Sequence, residues 1–68
     1  MKHELGRVRK VMRRDVLPGT LLIHKGKVYI ASANVEKGLY IHTSYEKTVI
    51  KDNAVAILLD DKGNHLSH

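Results

Sequence analysis

The sequence contains no cysteine, no tryptophan and no phenylalanine, and it has a single proline. Without cysteine the chain has no disulfide, no thiol chemistry and no zinc site built from thiolate ligands. Because three tyrosines supply all of its large aromatic side chains, a hydrophobic core has to be mainly aliphatic. A chain of 68 residues leaves no room for a cleft between two lobes, and we expect one domain over residues 1–68.

Long hydrophobic runs are also missing. No apolar stretch approaches the roughly 18 residues that a membrane-spanning helix needs. The first residues carry charges throughout and lack the apolar run of about 7–15 residues that a signal peptide contains. We therefore expect a cytoplasmic protein that does not contact a membrane.

Positive charge is concentrated near the N-terminus. The net charge is +5. Residues 1–14 hold six lysines and arginines, including all four arginines, against one glutamate. Residues 15–68 hold six lysines against six acidic residues. The chain is thus a neutral domain preceded by a basic segment.

The basic segment has the spacing of a short α-helix. Leu5, Val8, Val11 and Met12 recur at intervals of three and four residues and would form one apolar stripe. Pro18 disfavours helical geometry in the residue before it, so the helix has to end earlier. We predict a basic helix over residues 1–15.

Short β-prone runs follow the basic segment. We predict five strands at residues 21–24, 27–31, 39–43, 48–50 and 54–59, with Lys25-Gly26 as a tight hairpin turn and a 3₁₀ turn at 51–53. So small a sheet has to bend strongly to enclose a core and to remove its exposed edges. The prediction is a mostly β fold: a small five-stranded SH3-like barrel over residues 16–61, with the short basic N-terminal α-helix across one open end. Residues 62–68 are either a frayed tail or one leg of a short hairpin.

This order of elements resembles the Sm-like proteins, including bacterial Hfq. Over residues 12–59, Met12-Arg13-Arg14-Asp15 stands where that family has an arginine-rich run, Lys25-Gly26 where it turns its first hairpin, and Ile50-Lys51-Asp52 before its last strand. The Pro18-Gly19 turn and the Gly26-Lys27 hairpin also resemble the KOW-type barrel of elongation factor P. The Sm-like resemblance implies an arginine rim that contacts RNA phosphates and a ring of subunits, hence a homo-oligomer.

Clustered arginines and lysines bind phosphates through charge and through forked hydrogen bonds. We expect a small non-enzymatic regulatory protein that binds nucleic acid, RNA in preference to DNA. The candidate binding residues are Arg7, Arg9, Lys10, Arg13, Arg14, Lys25, Lys27 and Lys51. The same charge fits an alternative that stays open, a protein-interaction module or a phage- or plasmid-type inhibitor that docks on an acidic host protein.

The tyrosines, histidines and acidic residues give weaker indications of function than the basic segment does. Tyr29, Tyr40 and Tyr45 are candidate stacking platforms for bases, although half-buried packing is the commoner role of such residues. The five histidines, at positions 3, 24, 42, 65 and 68, show no ligand spacing on one element, and Asp60-Asp61 is typical of a solvated turn. We find no nucleophile paired with a base and no glycine-rich phosphate loop, and we expect no catalytic residue, metal or cofactor.

Overall fold

The computed structural model describes residues 7–67, which form one antiparallel sheet. Its six strands are β1 (Arg7–Met12), β2 (Leu21–His24), β3 (Lys27–Val35), β4 (Gly38–His42), β5 (Lys47–Ile50) and β6 (Ala54–Leu59). One 3₁₀ turn, Arg13–Asp15, connects β1 to the rest of the sheet. The strand order is β1-β6-β2-β3-β4-β5, so the first and last strands of the chain are neighbours.

The predicted N-terminal helix is wrong for the residues that the structure describes. Residues 7–12 form strand β1, which pairs along its whole length with β6, from Arg7 opposite Leu59 to Met12 opposite Ala54. Val11 packs against the core, whereas Val8 and Met12 point to solvent, so these three residues do not form an apolar stripe. The part of the predicted helix in residues 1–6, Leu5 included, lies outside the described residues.

Strands β2 to β5 form a meander in which each strand pairs with the next. The first hairpin turns at Lys25 and Gly26, whose φ values of 53° and 80° are those of a type I′ turn. This turn twists in the same sense as the strands it joins, so Leu21–His24 and Lys27–Ala31 pair as the sequence predicts. Strand β3 then continues to Val35, four residues beyond the predicted end of this strand at residue 31.

The core lies on one face of the sheet and is aliphatic apart from Tyr29. In β6, Val55, Ile57 and Leu59 point into it at every second position. Its other buried members are Val16, Leu22, Tyr29, Ala31, Leu39, Ile41 and Ile50. Val16 follows the 3₁₀ turn directly, so this turn brings the chain from the edge strand back into the core.

Three further expectations need correction. Within residues 7–67 there are six strands instead of five, and the sheet is not closed, because its end strands β1 and β5 do not pair. The 3₁₀ turn lies at Arg13–Asp15, whereas the residues predicted as a 3₁₀ turn, 51–53, contain only a simple bend at 52–53. The mostly β character of the prediction is confirmed.

Residues 60–67 return beside β6. The Asp60 carboxylate accepts the backbone N–H groups of Lys62 and Asn64, which fixes the turn, and the N–H of Asn64 is the main cause that lowers the pKa of Asp60. Leu66 then donates its N–H to the carbonyl of Leu58 and accepts the N–H of Leu21. This segment therefore fills the space where β6 and β2 diverge, as the leg of a short hairpin would.

Within residues 7–67 we find no helix with the length and apolar character needed to cross a bilayer.

Candidate basic interaction surface

Strand β1 is an edge of the sheet. Leu58 in β6 gives its carbonyl to Leu66, on the side away from β1. Because hydrogen-bonding residues alternate along an antiparallel strand, β6 bonds to β1 through Val55, Ile57 and Leu59. Their partners in β1 are Val11, Arg9 and Arg7. The N–H and C=O groups of the other three residues, Val8, Lys10 and Met12, therefore point away from the sheet along an edge that no other strand within residues 7–67 covers.

The side chains of β1 divide between the two faces of the sheet. Arg7 and Arg9 share the face of Val11, on the core side, yet both are exposed. Val8, Lys10 and Met12 share the outer face, where Val8 is 51% and Met12 47% exposed. We call these five residues the basic edge; it has three positive charges and no acidic residue.

The outer face continues from the basic edge as an apolar surface. In the register, Lys10 lies opposite Ala56, Ala56 opposite Ile23, and Ile23 opposite Val28. Ala56 and Ile23 are half-buried, and Val28 is 40% exposed. A partner on the basic edge would thus meet Arg7 and Arg9 on one face of the sheet, and Lys10 among aliphatic side chains on the other.

Arg13, one of the predicted nucleic-acid-binding residues, bonds within the fold. Its Nη1 donates to Oδ1 of Asn34 at 3.2 Å and to the carbonyl of Val35 at 3.1 Å. Asn34 in turn donates from Nδ2 to the carbonyls of Arg13, at 2.7 Å, and Val16, at 2.9 Å. Arg13 therefore ties the 3₁₀ turn to the end of β3. Nothing in the sequence singled out Asn34, which lies between the strands predicted at residues 27–31 and 39–43.

Lys27 is likewise engaged, in a group with Glu46 and Tyr29. Its Nζ lies 2.8 Å from Oε2 of Glu46, and the Tyr29 hydroxyl donates to the same oxygen at 3.1 Å. The hydrogen bond from Lys27, followed by that from Tyr29, lowers the pKa of Glu46, and the bond to Glu46 raises the pKa of Lys27. This group joins the start of β3 to the β4–β5 turn.

We expect Glu46→Gln to remove a pH-dependent part of the stability. A carboxyl group whose pKa is lowered in the folded state stabilises the fold above its unfolded pKa, and the contribution disappears as the pH falls through the folded pKa. Thermal unfolding between neutral pH and about pH 3 measures this effect. The melting temperature of the wild type should be higher than that of Glu46→Gln at neutral pH, and the two melting temperatures should converge in acid. Glu36→Gln, on the exposed β3–β4 turn, is the control. A wild-type advantage that persisted at the acidic end would contradict the role given to the carboxylate.

The remaining three predicted cations lie near the C-terminal end of β1. Arg14 is exposed in the 3₁₀ turn, Lys25 forms the tip of the β2–β3 hairpin, and Lys51 lies on the bend before β6. Since Met12 pairs with Ala54 and Ile23 with Ala56, the hairpin tip and this bend are at the same end of the sheet. Of the eight predicted binding residues, all but Arg13 and Lys27 thus lie along β1 or near its C-terminal end, where a partner could contact them.

The tyrosines do not form a common platform. Tyr29 is buried in the core, and the ring of His24 packs edge-on against it with centroids 5.8 Å apart, so Tyr29 does not present a face to a base. Tyr40 and Tyr45 are exposed. Tyr40 lines an open groove of about 360 Å³, together with Ser32, Ile41, His42, Lys47 and Thr48.

Within residues 7–67 no three histidine or acidic side chains gather as metal ligands would. His3 and His68 lie outside the described residues.

Comparison with protein families gives a match over most of the chain. The model of the KilR SH3-type barrel domain matches residues 8–58, about three quarters of the chain. No curated protein and no solved structure matches the chain. The match begins in β1 and ends in β6, so it includes the strand that the sequence pattern presented as a helix. It supports an SH3-like barrel, and it gives no support to the Sm-like or KOW-type resemblance.

Proposed function

Because the chain belongs to the KilR SH3-type barrel family, we propose that it is a small inhibitor of phage type that acts by binding a protein of its bacterial host. The family match carries this proposal. It favours the alternative that the sequence left open, an inhibitor docking on an acidic host protein, over a nucleic-acid-binding regulator.

The surface of the chain fits such a role. Arg7, Arg9 and Lys10 stand on an exposed strand with no acidic neighbour in that strand, and they adjoin an aliphatic outer face. Positive charge speeds the encounter with an acidic partner, while apolar area and backbone groups hold the complex. An inhibitor of this kind needs no catalytic group, since it acts by occupying a surface of its target.

Nucleic-acid binding has weaker support. Arg13 and Lys27 already bond within the fold, and Tyr29 is buried, so the predicted phosphate-binding and stacking set is reduced. The oligomeric ring implied by the Sm-like resemblance has no support from the family match. The mode of action therefore rests on protein binding, with nucleic acid as an outcome that the test has to exclude.

Inducible expression of the chain in a bacterium tests the proposal. We expect growth to stop or slow after induction, and the charge-reversing pair Arg9→Glu and Lys10→Glu to relieve this effect because it removes the attraction to an acidic target. The matched control is the pair Lys37→Glu and Lys62→Glu, which changes the net charge equally at exposed turn positions outside β1. Circular dichroism of each purified variant checks that it is folded.

Three results would overturn the proposal. The first is unaffected growth despite folded, abundant protein. The second is equal relief by the control pair, which would assign the effect to net charge alone. The third is a partner recovered by crosslinking that disappears on nuclease treatment, which would return the chain to the nucleic-acid class.

A further inference from the structure

We propose that the basic edge binds its partner by strand addition: an extended acidic segment of the target protein pairs with β1 and becomes a seventh strand of the sheet. This inference deepens the proposed function, on which it rests for the identity of the target. It is argued from three features of β1: an edge that no other strand of the described residues 7–67 covers, the direction of its backbone groups, and the distribution of its charges.

The backbone of β1 is arranged for a second neighbour. Val8, Lys10 and Met12 direct their N–H and C=O groups away from β6, at every second residue of a six-residue strand. Main-chain hydrogen bonds from such an edge give affinity to an added strand, and side-chain pairs give specificity. β5 is also an end strand but has only four residues, and it has one cation, Lys47.

The side chains of β1 specify the chemistry of the added segment. Directly opposite residues of two paired strands lie on the same face of a sheet, and opposite charges there are favourable. The segment should therefore carry acidic residues opposite Arg7, Arg9 and Lys10, and apolar residues opposite Val8 and Met12. The apolar residues would extend the aliphatic outer face formed by Ala56, Ile23 and Val28.

Charge also disfavours a second copy of this chain as the occupant. If two β1 strands paired with each other, each would bring three positive charges and no acidic residue to the contact. Like charges that face each other across a strand pair are destabilising. A β1–β1 dimer would have this repulsion, whereas an added acidic segment would replace it with attraction.

Synthetic peptides test the pairing directly. The probe is a peptide of about ten residues with an acetylated N-terminus and an amidated C-terminus. It carries glutamate opposite the three cations of the basic edge and valine opposite Val8 and Met12. A first control replaces its glutamates by lysines. Two further peptides carry N-methyl groups, one on the residues whose N–H groups would face β1 and the other on the alternate residues. We expect binding by the probe and by the peptide methylated on the alternate residues, and none by the other two.

A variant of the protein provides the converse test. Val8→Pro removes a backbone N–H group that points away from β6. The substitution therefore keeps the net charge of β1 and its hydrogen bonds to β6. We expect the affinity for the probe to fall by about tenfold, the equivalent of one hydrogen bond. In hydrogen exchange of the wild type, the amides of Val8, Lys10 and Met12 should gain protection on peptide binding, because only they face the added strand.

Several outcomes would overturn strand addition. Equal binding of both methylated peptides, with loss of binding at high salt, would show that charge alone attracts the segment. Protection of β5 amides instead would place the partner at the other edge. A dimer of the free protein in light scattering, with β1 already protected, would assign the edge to a second copy. Each of these leaves the growth assay unaffected, so failure of strand addition is distinguishable from failure of the proposed function.

Discussion

Replacement of Leu22 by alanine should bring the protein close to unfolding. Leu22 is fully buried, and the register places it between Tyr29 in β3 and Ile57 in β6, where the two parts of the sheet meet. Deletion of a buried leucine side chain costs about 2–5 kcal/mol through lost burial and the cavity that remains. A domain of this size has a total stability of about 3–10 kcal/mol. Urea unfolding followed by circular dichroism measures the change.

Leu17→Ala is the matched control for this substitution. Leu17 is the same residue type five positions earlier, and it is 68% exposed. Its removal should change the midpoint of urea unfolding little, because surface substitutions away from special features cost less than about 0.5 kcal/mol. If Leu22→Ala does not fold, Leu22→Met keeps most of the volume and should lose less than about 1.5 kcal/mol. Equal midpoints for Leu22→Ala and Leu17→Ala would contradict the core described above.

The strands near the centre of the sheet could be predicted from the sequence because their neighbours impose a pattern on them. β2 and β6 were predicted with their observed bounds, Leu21–His24 and Ala54–Leu59. Both lie between other strands, and apolar residues dominate them. The hairpin between β2 and β3 could also be predicted from the sequence, because a glycine at the second position of the turn favours the positive φ that a type I′ turn requires.

The edge strand could not be predicted in the same way. β1 packs only Val11 against the core and exposes the rest, so no alternation of apolar and polar residues marks it as a strand. Val8 and Val11 are three residues apart, and this spacing imitates a helix although the two side chains point to opposite faces. What determines the conformation of β1 is the free edge of β6, a contact about 45 residues away in sequence that no local pattern reveals.

The candidate site was predicted by location but not by role. Charge counting identified residues 1–14 as basic, and within the described part of that segment Arg7, Arg9, Lys10 and Arg14 are exposed. It had no means of separating Arg14 from Arg13, although only Arg13 bonds to β3. The difference depends on where the 3₁₀ turn directs each side chain, and thus on tertiary structure.

Asn34 connects the 3₁₀ turn to the end of β3 through its side-chain amide. We expect Asn34→Ala to destabilise the fold by about 2–3 kcal/mol. The substitution removes two donors, one to the carbonyl of Arg13 and one to that of Val16, and the acceptor of the Arg13 guanidinium. These carbonyls lie in a part-buried corner, where a lost partner costs more than the net value of a hydrogen bond. Urea unfolding gives the total effect. Asn53→Ala is the control, because exposed Asn53 accepts the Arg13 N–H through its main-chain oxygen, which alanine retains.

Arg13→Ala should cost less than Asn34→Ala, and this order distinguishes the two partners. Removal of the guanidinium leaves both Asn34 donors bonded to their carbonyls. It also removes the Arg13 Nε, which is buried and finds no acceptor within residues 7–67, so part of the loss is offset. In hydrogen exchange, Asn34→Ala should increase exchange most at the Val16 amide, which donates to the carbonyl of Arg13, and less at the amides paired between β4 and β5, which feel only the global loss of stability. A larger loss for Arg13→Ala would mean that the guanidinium, and not the asparagine amide, holds the 3₁₀ turn to the end of β3.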